Sequence, residues 1–142
     1  MTFVIDQYFN DYEVRPEFQK EFICLWEGWL GPDNYYKLDQ VTEWDWQRFN
    51  DLVRLISAKY DVLIVDLASQ SCRKATETSQ LIQTYEDAMQ KESSTFMRLV
   101  IPELHCVLTE EWDFTYILWH KHLATVAALS PLISQARLHH FT

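Results

Sequence analysis

An almost wholly apolar run, DVLIVDLA at residues 61–68, constrains the fold more than any other stretch of the chain. A short run of this kind, without alternation, is typical of a strand that is covered on both faces. A helix is predicted just before it, because Thr42 and Asp45 have the spacing of a capping box. That helix carries an apolar stripe on one face, and Trp44 falls off the stripe. The side chains on the stripe are Trp46, Phe49, Leu52, Val53, Ile56 and Tyr60.

The remaining segments add further strands and helices. Alternating, β-branched and aromatic stretches predict strands, whereas apolar residues at spacings of three and four predict helices. The predicted strands are 2–9, 61–68, 96–101, 104–109 and 114–119, with a short strand at 138–141 left open. The predicted helices are 16–30, 42–60, 73–91 and 123–137, the last either kinked at Pro131 or divided there with Ser130 as a cap.

These elements predict an α+β fold in a single domain over residues 1–142. Residues 31–41 are predicted to form a loop, and residues 110–113 the turn of a hairpin. The prediction is therefore four to five strands, including a hairpin near 104–119, packed with three to four helices. With only two Gly and four Pro in the chain, no linker is indicated.

Charge and composition narrow the classes of function. The 142 residues include 21 Asp and Glu against 12 Lys and Arg, which gives a net charge of −9. Binding to phosphates needs clustered basic residues, so direct binding of nucleic acid is not expected. An apolar share of 48% can offset chain entropy, which argues against disorder. Because the sequence shows no basic leader and no apolar run of about 20 residues, we predict a cytoplasmic protein that does not bind membranes.

The three cysteines, Cys24, Cys72 and Cys106, are an odd number and include no CxxC pair. This pattern indicates neither a disulfide framework nor a zinc site, so they are predicted to be reduced thiols. Cys24 falls on the polar side of the predicted helix 16–30, which leaves open whether it is a reactive thiol.

Histidines are the first candidates for chemistry. His120 and His122 would point the same way on a strand, and His105 lies in what is predicted to be the neighbouring strand. A metal site could be assembled from these three, but no carboxylate stands at a recognised ligand spacing. The chain also lacks a GxSxG motif, and its only glycines, Gly28 and Gly31, do not form a phosphate loop. We therefore predict no catalytic residue, no metal and no cofactor.

The position of the negative charge is more informative than its total. Residues 1–51 contain eleven acids and four bases, so about −7 of the net charge lies there. Acids alternate with aromatics in this part and again at the predicted hairpin turn. Aromatic side chains supply much of the binding energy of interfaces, and carboxylates around them complement a basic partner. The predicted partner-binding residues are Tyr35, Tyr36, Asp39, Glu43, Trp44, Asp45, Glu110, Glu111, Trp112 and Asp113. Trp29 and Trp46, which lie on apolar stripes, are predicted to be core residues.

The stretch PELHCVLTEEWDFTYILWH at residues 102–120, followed by LSPLI at 129–133, resembles small bacterial proteins of the immunity class. Immunity proteins of polymorphic or contact-dependent toxin systems are similar in being small, acidic and rich in aromatics, with an α+β fold and no catalytic residues. The resemblance implies a mode of action, which is to block a toxin by direct binding. It assigns no role to any position of this chain.

Three hypotheses follow for the function. The first is a non-enzymatic inhibitor that occludes a basic surface on a protein partner, which would be a toxin or effector domain. The second is an acidic protein that mimics nucleic acid and competes with it for a nucleic-acid-binding protein. The third is a small-molecule-binding or catalytic domain, and it requires a deep pocket that holds at least two of His105, His120 and His122.

Overall fold

The computed structural model describes residues 2–90, 92 and 96–142, with side chains from Ile5 onward. The α-helices among these residues are α1 (Thr2–Tyr8), α2 (Glu43–Lys59), α3 (Tyr85–Gln90) and α4 (Leu123–Gln135). Shorter 3-10 helices span Pro32–Gln40, Thr78–Gln80 and Pro102–Leu104. The strands are β1 (Phe9–Asn10), β2 (Glu13–Val14), β3 (Gln19–Cys24), β4 (Leu63–Asp66), β5 (Ser71–Lys74), β6 (Arg98–Ile101), β7 (Cys106–Glu111), β8 (Thr115–His120) and β9 (His139–Phe141). The α+β class is confirmed, but the chain has more strands than the four to five predicted.

Seven of the strands form one antiparallel sheet in the order β5-β4-β6-β7-β8-β3-β9, and β1 pairs with β2 as a separate small hairpin. The run at 61–68 forms β4, which lies between β5 and β6 as an interior strand. The hairpin predicted near 104–119 is confirmed as β7 and β8, with Glu111 paired to Thr115. The strands predicted at 96–101 and 138–141 are confirmed as β6 and the edge strand β9. Among the helices of the described residues, none combines the length and the apolar character needed to cross a membrane.

Helices α2 and α4 pack on one face of the sheet. Their apolar side chains share a core cluster with the strand residues that point to this face, such as Leu108 and Leu118. The capping box predicted at the start of α2 is confirmed, since the Thr42 hydroxyl accepts the Asp45 N–H at 3.3 Å and the Asp45 carboxylate accepts the Thr42 N–H at 3.0 Å. As predicted, Trp46 is buried, and Trp44 is 78% exposed.

The last helix, α4, runs through Pro131 as one helix from Leu123 to Gln135. A second helix beginning at Pro131 with Ser130 as its cap therefore does not form. Proline in a helix interior removes one backbone hydrogen bond, and the packing of Leu129 and Ile133 into the core holds the helix together across that position.

The opposite face of the sheet is covered over β4, β6 and β7 by α1 and the β1–β2 hairpin. Ile5, Tyr8 and Phe9 pack there in a second core cluster with strand residues such as Val65 and Val107. Because side chains alternate along a strand, Phe22 and Cys24 of β3 point to this second face, while Glu21 and Ile23 point to the face covered by helices.

The strand predicted at 2–9 is wrong for most of its length, since α1 occupies Thr2–Tyr8 and only Phe9 continues into β1. Ile5, Tyr8 and Phe9 are spaced by three and four, so the same residues match a helix whose one face lies on the sheet.

The helix predicted at 16–30 is also wrong. Residues Gln19–Cys24 form β3, which pairs on one side with β8 and on the other with β9. A strand with apolar residues on both faces has no strict alternation, and here its spacing coincided with that of a helix. The extended backbone is favoured because β3 forms backbone hydrogen bonds along both of its edges, to β8 on one and to β9 on the other.

Of the helix predicted at 73–91, the described residues confirm only α3, Tyr85–Gln90, and Lys91 lies outside them. Residues Ser71–Lys74 instead form the edge strand β5, in which Cys72 pairs with Val65. The side chains of this strand are mostly exposed and polar, so its extended form depends on pairing with β4 rather than on a local pattern.

Candidate functional site

An open cleft of about 470 Å³ lies on the second face of the sheet, where β3 and β8 meet. Side chains of Phe22, Cys24, Thr115 and Ile117, which the two strands direct to this face, contribute to its lining. The rest of the lining comes from two segments far apart in sequence, residues 26–38 and the tip of the β7–β8 hairpin. The full lining is Phe22, Cys24, Trp26, Gly28, Trp29, Leu30, Gly31, Tyr35, Leu38, Glu111, Trp112, Asp113, Thr115 and Ile117.

One wall of the cleft carries Trp29, which is 62% exposed, so the prediction that it is a core residue is wrong. Its indole makes edge contacts with Phe22 at 4.7 Å and with Phe141 at 5.0 Å between ring centroids. Gly31 follows with a φ of +70°, a left-handed conformation that favours glycine, and the chain then enters the 3-10 helix that carries Tyr35. The wall is therefore a turn in which the indole of Trp29 is held by two neighbouring rings.

The other wall is the hairpin tip. Asp113 and Phe114 both have left-handed backbone conformations, with φ of 59° and 57°. Trp112 packs edge-on against Phe96 at 4.7 Å and remains largely exposed. The Thr109 hydroxyl donates to Glu111 Oε2 at 2.8 Å and itself accepts the indole N–H of Trp119 at 2.9 Å. This short relay fixes one oxygen of Glu111 at the border of the cleft.

The electrostatics of the cleft are one-sided. Among the described residues of its lining, Glu111 and Asp113 are the only carboxylates, and none is Lys, Arg or His. Within the described part of the chain, neither carboxylate forms an ion pair. Two carboxylates therefore line a cleft with aromatic walls, and no cation of the described residues lines it with them.

A second cavity of about 430 Å³ adjoins the cleft, since Glu111 and Trp112 line both. It differs in chemistry, because Lys20 and Arg98 are part of its lining. The Lys20 ammonium lies over the ring of Trp119, 5.0 Å from its centroid. Glu111 and Trp112 thus lie between the cleft, which is acidic and aromatic, and the second cavity, which contains basic side chains.

Of the ten residues predicted to bind a partner, four line the cleft: Tyr35, Glu111, Trp112 and Asp113. Both predicted segments are thus represented in it, although Tyr35 and Glu111 are 76 positions apart in the sequence (111 − 35). This meeting depends on the pairing of β3 with β8, which brings residues 22–24 next to residues 115–117.

The other six lie elsewhere. Tyr36, Asp39, Glu43 and Trp44 are exposed and outside the cleft. Asp45 is occupied by the capping box and by an ion pair with Arg48 at 3.1 Å. Glu110 is only 5% exposed, and its carboxylate accepts hydrogen bonds from the Met97 N–H and the Gln83 side-chain amide.

Several cleft residues were missed by sequence reasoning, namely Phe22, Cys24, Trp26 and Leu38. The wrong helix at 16–30 hid the first three, because it set the direction in which each of their side chains was expected to point; Leu38 lies in the predicted loop 31–41, where nothing distinguished it. One signal was present in the sequence: both glycines of the chain, Gly28 and Gly31, flank Trp29 and mark a turn rather than a helix.

The three candidate histidines do not form one site. His105 and His122 line a cavity of about 440 Å³ that also includes the basic side chains Arg15 and Lys121. His120 is buried at the end of β8 and is not part of that lining, and its Nδ1 has no hydrogen-bond partner in the part of the chain that the structure describes. No cluster of three or more His, Cys, Asp or Glu able to hold a metal ion occurs among the described residues.

A different histidine, His140, is the centre of a polar network that the sequence did not indicate. His140 Nδ1 lies 2.6 Å from Glu21 Oε2, and its Nε2 lies 3.0 Å from Ser130 Oγ. Serine, histidine and carboxylate in this order are the groups of a hydrolytic triad. Here, however, the serine lies inside α4, where the backbone N–H groups serve the helix and Pro131 has none to offer an oxyanion. We interpret the network as a structural connection between β3, β9 and α4.

The thiols are also placed by the structure. Cys24 is buried rather than on a polar helix face, and its Sγ donates to the Trp26 carbonyl at 3.1 Å. Burial raises the pKa of the Cys24 thiol, and it raises the pKa of Cys106 to about 12. A raised pKa lowers the thiolate fraction, so neither is a reactive nucleophile at neutral pH.

In comparisons with known proteins, the chain matches no family model, no curated protein and no solved structure.

Proposed function

We propose that this protein is a non-enzymatic inhibitor that neutralises a cognate protein toxin by occluding a basic surface on it, as an immunity protein does. The observation that carries the proposal is the cleft, in which Trp29, Tyr35 and Trp112 stand next to the carboxylates of Glu111 and Asp113. Tryptophan and tyrosine are the side chains most often found to dominate binding energy at protein interfaces.

The exposure of these aromatics supports binding rather than core packing. Trp29 makes T-shaped contacts with two neighbouring rings and Trp112 with one, and both indoles remain largely exposed. Side chains that are held in this way lose little conformational freedom on binding, which favours affinity. The net charge of −9 adds long-range attraction to a basic partner and raises the association rate.

The nucleic-acid mimic is less well supported by this geometry. A mimic needs a row of carboxylates at phosphate-like spacing, whereas the cleft has two acids among aromatic and aliphatic side chains. A protein surface on which apolar groups surround a basic side chain would complement this cleft better than a site that binds the phosphates of nucleic acid.

The test uses the reading frames that neighbour the gene. Each is expressed under an inducible promoter in a bacterial host, with and without this chain, and growth is recorded. We expect one neighbour to arrest growth, the wild-type chain to restore it, and the two purified proteins to form a direct complex. Association should slow by roughly tenfold or more as salt screens the charges.

A cleft variant and a matched control connect the rescue to the site. Trp112→Ala with Glu111→Gln removes one aromatic and one charge from the cleft, and we expect it to lose the rescue. Leu123→Ala with Glu103→Gln removes an exposed apolar side chain and an exposed acid outside the cleft, and should rescue as the wild type does. Growth arrest that the chain does not relieve, or the absence of any toxic neighbour, would contradict the proposal.

A further inference from the structure

We infer that the cleft is a receptor for a single arginine side chain presented by the protein partner; this inference rests on the proposed function and names the group that the site recognises. The cleft supplies the three elements that guanidinium recognition uses. These are aromatic side chains, carboxylates and, among the described residues, a lining without competing cations.

The lining of the cleft suits a cation. Trp26, Trp29 and Trp112 all contribute to the lining, and the negative face of an indole attracts a cation more strongly than that of any other side chain. Glu111 and Asp113 add two full negative charges on one side. An anionic ligand would find no basic donor among the described residues of this lining, because Lys20 and Arg98 line the adjoining cavity instead.

The aromatic walls and the oriented carboxylate of Glu111 favour arginine over lysine as that cation. A guanidinium is planar, so it can stack on an indole face while its N–H groups donate to carboxylates in its own plane. Glu111 is suited to accept such bonds, because the Thr109 hydroxyl holds its Oε2 at 2.8 Å and thereby orients the carboxylate. An ammonium group is more strongly hydrated and makes no planar pair, so it would gain less from the same walls.

The size and the apolar lining of the cleft indicate that the arginine belongs to a protein segment. A cavity of about 470 Å³ has the size of a ligand site rather than of a crevice between two side chains. It is lined largely by apolar groups such as Phe22, Leu38 and Ile117, which would cover the aliphatic part of the arginine and its neighbours in the chain.

The test uses small probes on the purified protein, so it needs no knowledge of the partner. N-acetyl-arginine amide is titrated while the indole N–H NMR signals of the tryptophans are followed. We expect the signals of Trp26, Trp29 and Trp112 to shift together, with a dissociation constant on the order of 1–10 mM. N-acetyl-citrulline amide, which has the same shape without the charge, should bind about tenfold more weakly, and N-acetyl-lysine amide should lie between them.

Variants locate the site without unfolding the protein. Glu111→Gln with Asp113→Asn removes both charges, and asparagine tolerates the left-handed backbone found at position 113. We expect this pair to weaken arginine binding about tenfold and to leave citrulline binding unchanged. The matched pair Glu86→Gln and Glu103→Gln removes the same charge from exposed positions outside the cleft and should bind like the wild type. Thermal unfolding of all variants checks that each is folded.

The outcomes separate the inference from the proposed function. If citrulline binds as well as arginine, or if the shifts fall on other tryptophans, the cleft is not an arginine receptor, even where the chain still neutralises a toxin through that surface. If arginine binds as expected but no partner is neutralised, the receptor stands and the immunity function fails. If neither arginine nor lysine shifts any indole signal, the inference is overturned outright.

Discussion

At the scale of single residues, the buried ionisable side chains determine how the fold responds to alkali. Cys106 is fully buried, and its pKa is raised from the ordinary 9.0 to about 12. Burial also raises the pKa of Tyr116 well above 10.0, and the neighbouring Glu110 acts in the same direction. Both groups are therefore held neutral in the folded protein at a pH where the unfolded chain already releases their protons.

The consequence is a loss of stability at high pH. A group whose folded pKa is raised stabilises the fold fully below its unfolded pKa, and this contribution is lost as pH rises toward the folded value. For Cys106 the window is pH 9 to about 12. Within it, the free energy of unfolding should fall by about 1.4 kcal/mol per pH unit for this group alone.

Replacement of Cys106 tests this expectation. In Cys106→Ala, urea unfolding between pH 9 and 11 should show a slope with pH that is shallower by about 1.4 kcal/mol per unit. Val100→Ala, another fully buried position on the sheet, removes core volume without removing a titrating group, so it should lower stability equally at every pH. Equal slopes in wild type and Cys106→Ala would show that the thiol ionises in the folded protein as it does in the unfolded chain.

Residue-level prediction from the sequence succeeded where the element was correct. Trp44 and Trp46 were placed correctly because the capping box marks the start of α2 and so sets which way each side chain points. Trp29 was placed wrongly because the helix assigned to it does not exist. The orientation of a side chain depends on the type of element, so an error in the element carries over to every residue in it.

At the scale of elements, local patterns predicted α2, β4, β6 and the β7–β8 hairpin, because each has a signal in consecutive residues. They failed for β3 and β5, whose extended form depends on strands from distant parts of the chain. β3 pairs with residues about a hundred positions away, and β5 has few buried side chains to reveal it. Non-local pairing leaves no periodicity for a local pattern to detect.

The Glu21–His140–Ser130 network is expected to hold the edge strand β9 to the rest of the fold. The side chain of Glu21 is only 9% exposed, so a variant without the imidazole leaves a buried carboxylate without its hydrogen-bond donor. His140→Ala should therefore cost about 2–3 kcal/mol, and Ser130→Ala, which removes a neutral hydroxyl, about 1 kcal/mol. Urea unfolding measures both, and hydrogen exchange should show faster exchange of the β9 amides in His140→Ala.

A second substitution isolates the interaction. Glu21→Gln in the His140→Ala background removes the isolated charge, so part of the lost stability should return. If the loss in free energy of unfolding of the double variant equals the sum of the losses of the two single variants, the carboxylate and the imidazole do not interact energetically. The network would then not be what holds β9.

At the scale of the whole molecule, the cleft is a product of topology. The sequence identified segments in which acids and aromatics alternate, and it placed Tyr35, Glu111, Trp112 and Asp113 among them. It could not show that these four residues meet, because their proximity requires β3 to lie beside β8 in a seven-stranded sheet. It also could not distinguish them from Glu43 and Trp44, which lie in a segment of the same acidic and aromatic character but outside the cleft.

The same excess of negative charge that favours a basic partner should weaken the free protein. A net charge of −9 produces repulsion that the compact state feels more strongly than the expanded unfolded chain. The ion pairs to Lys and Arg among the described residues are at least partly exposed, so their loss on screening costs little. Salt should therefore stabilise the fold, because it screens more repulsion than attraction.

Thermal unfolding at increasing NaCl tests this balance. From low salt to about 0.2 M, where the Debye length falls below about 10 Å, we expect the midpoint to rise by about 2–4 °C, equivalent to roughly 1 kcal/mol. The increase should level off once the charges are screened, which distinguishes it from a general salting-out effect that continues to grow with concentration. Glu111→Gln with Asp113→Asn should start from a higher midpoint and gain less from salt, since two unpaired charges have been removed from one region. A midpoint that falls with salt would mean that the ion pairs stabilise the fold more than the repulsion destabilises it. The cleft carboxylates would then not destabilise the free protein, and a basic partner would relieve no repulsion by binding there.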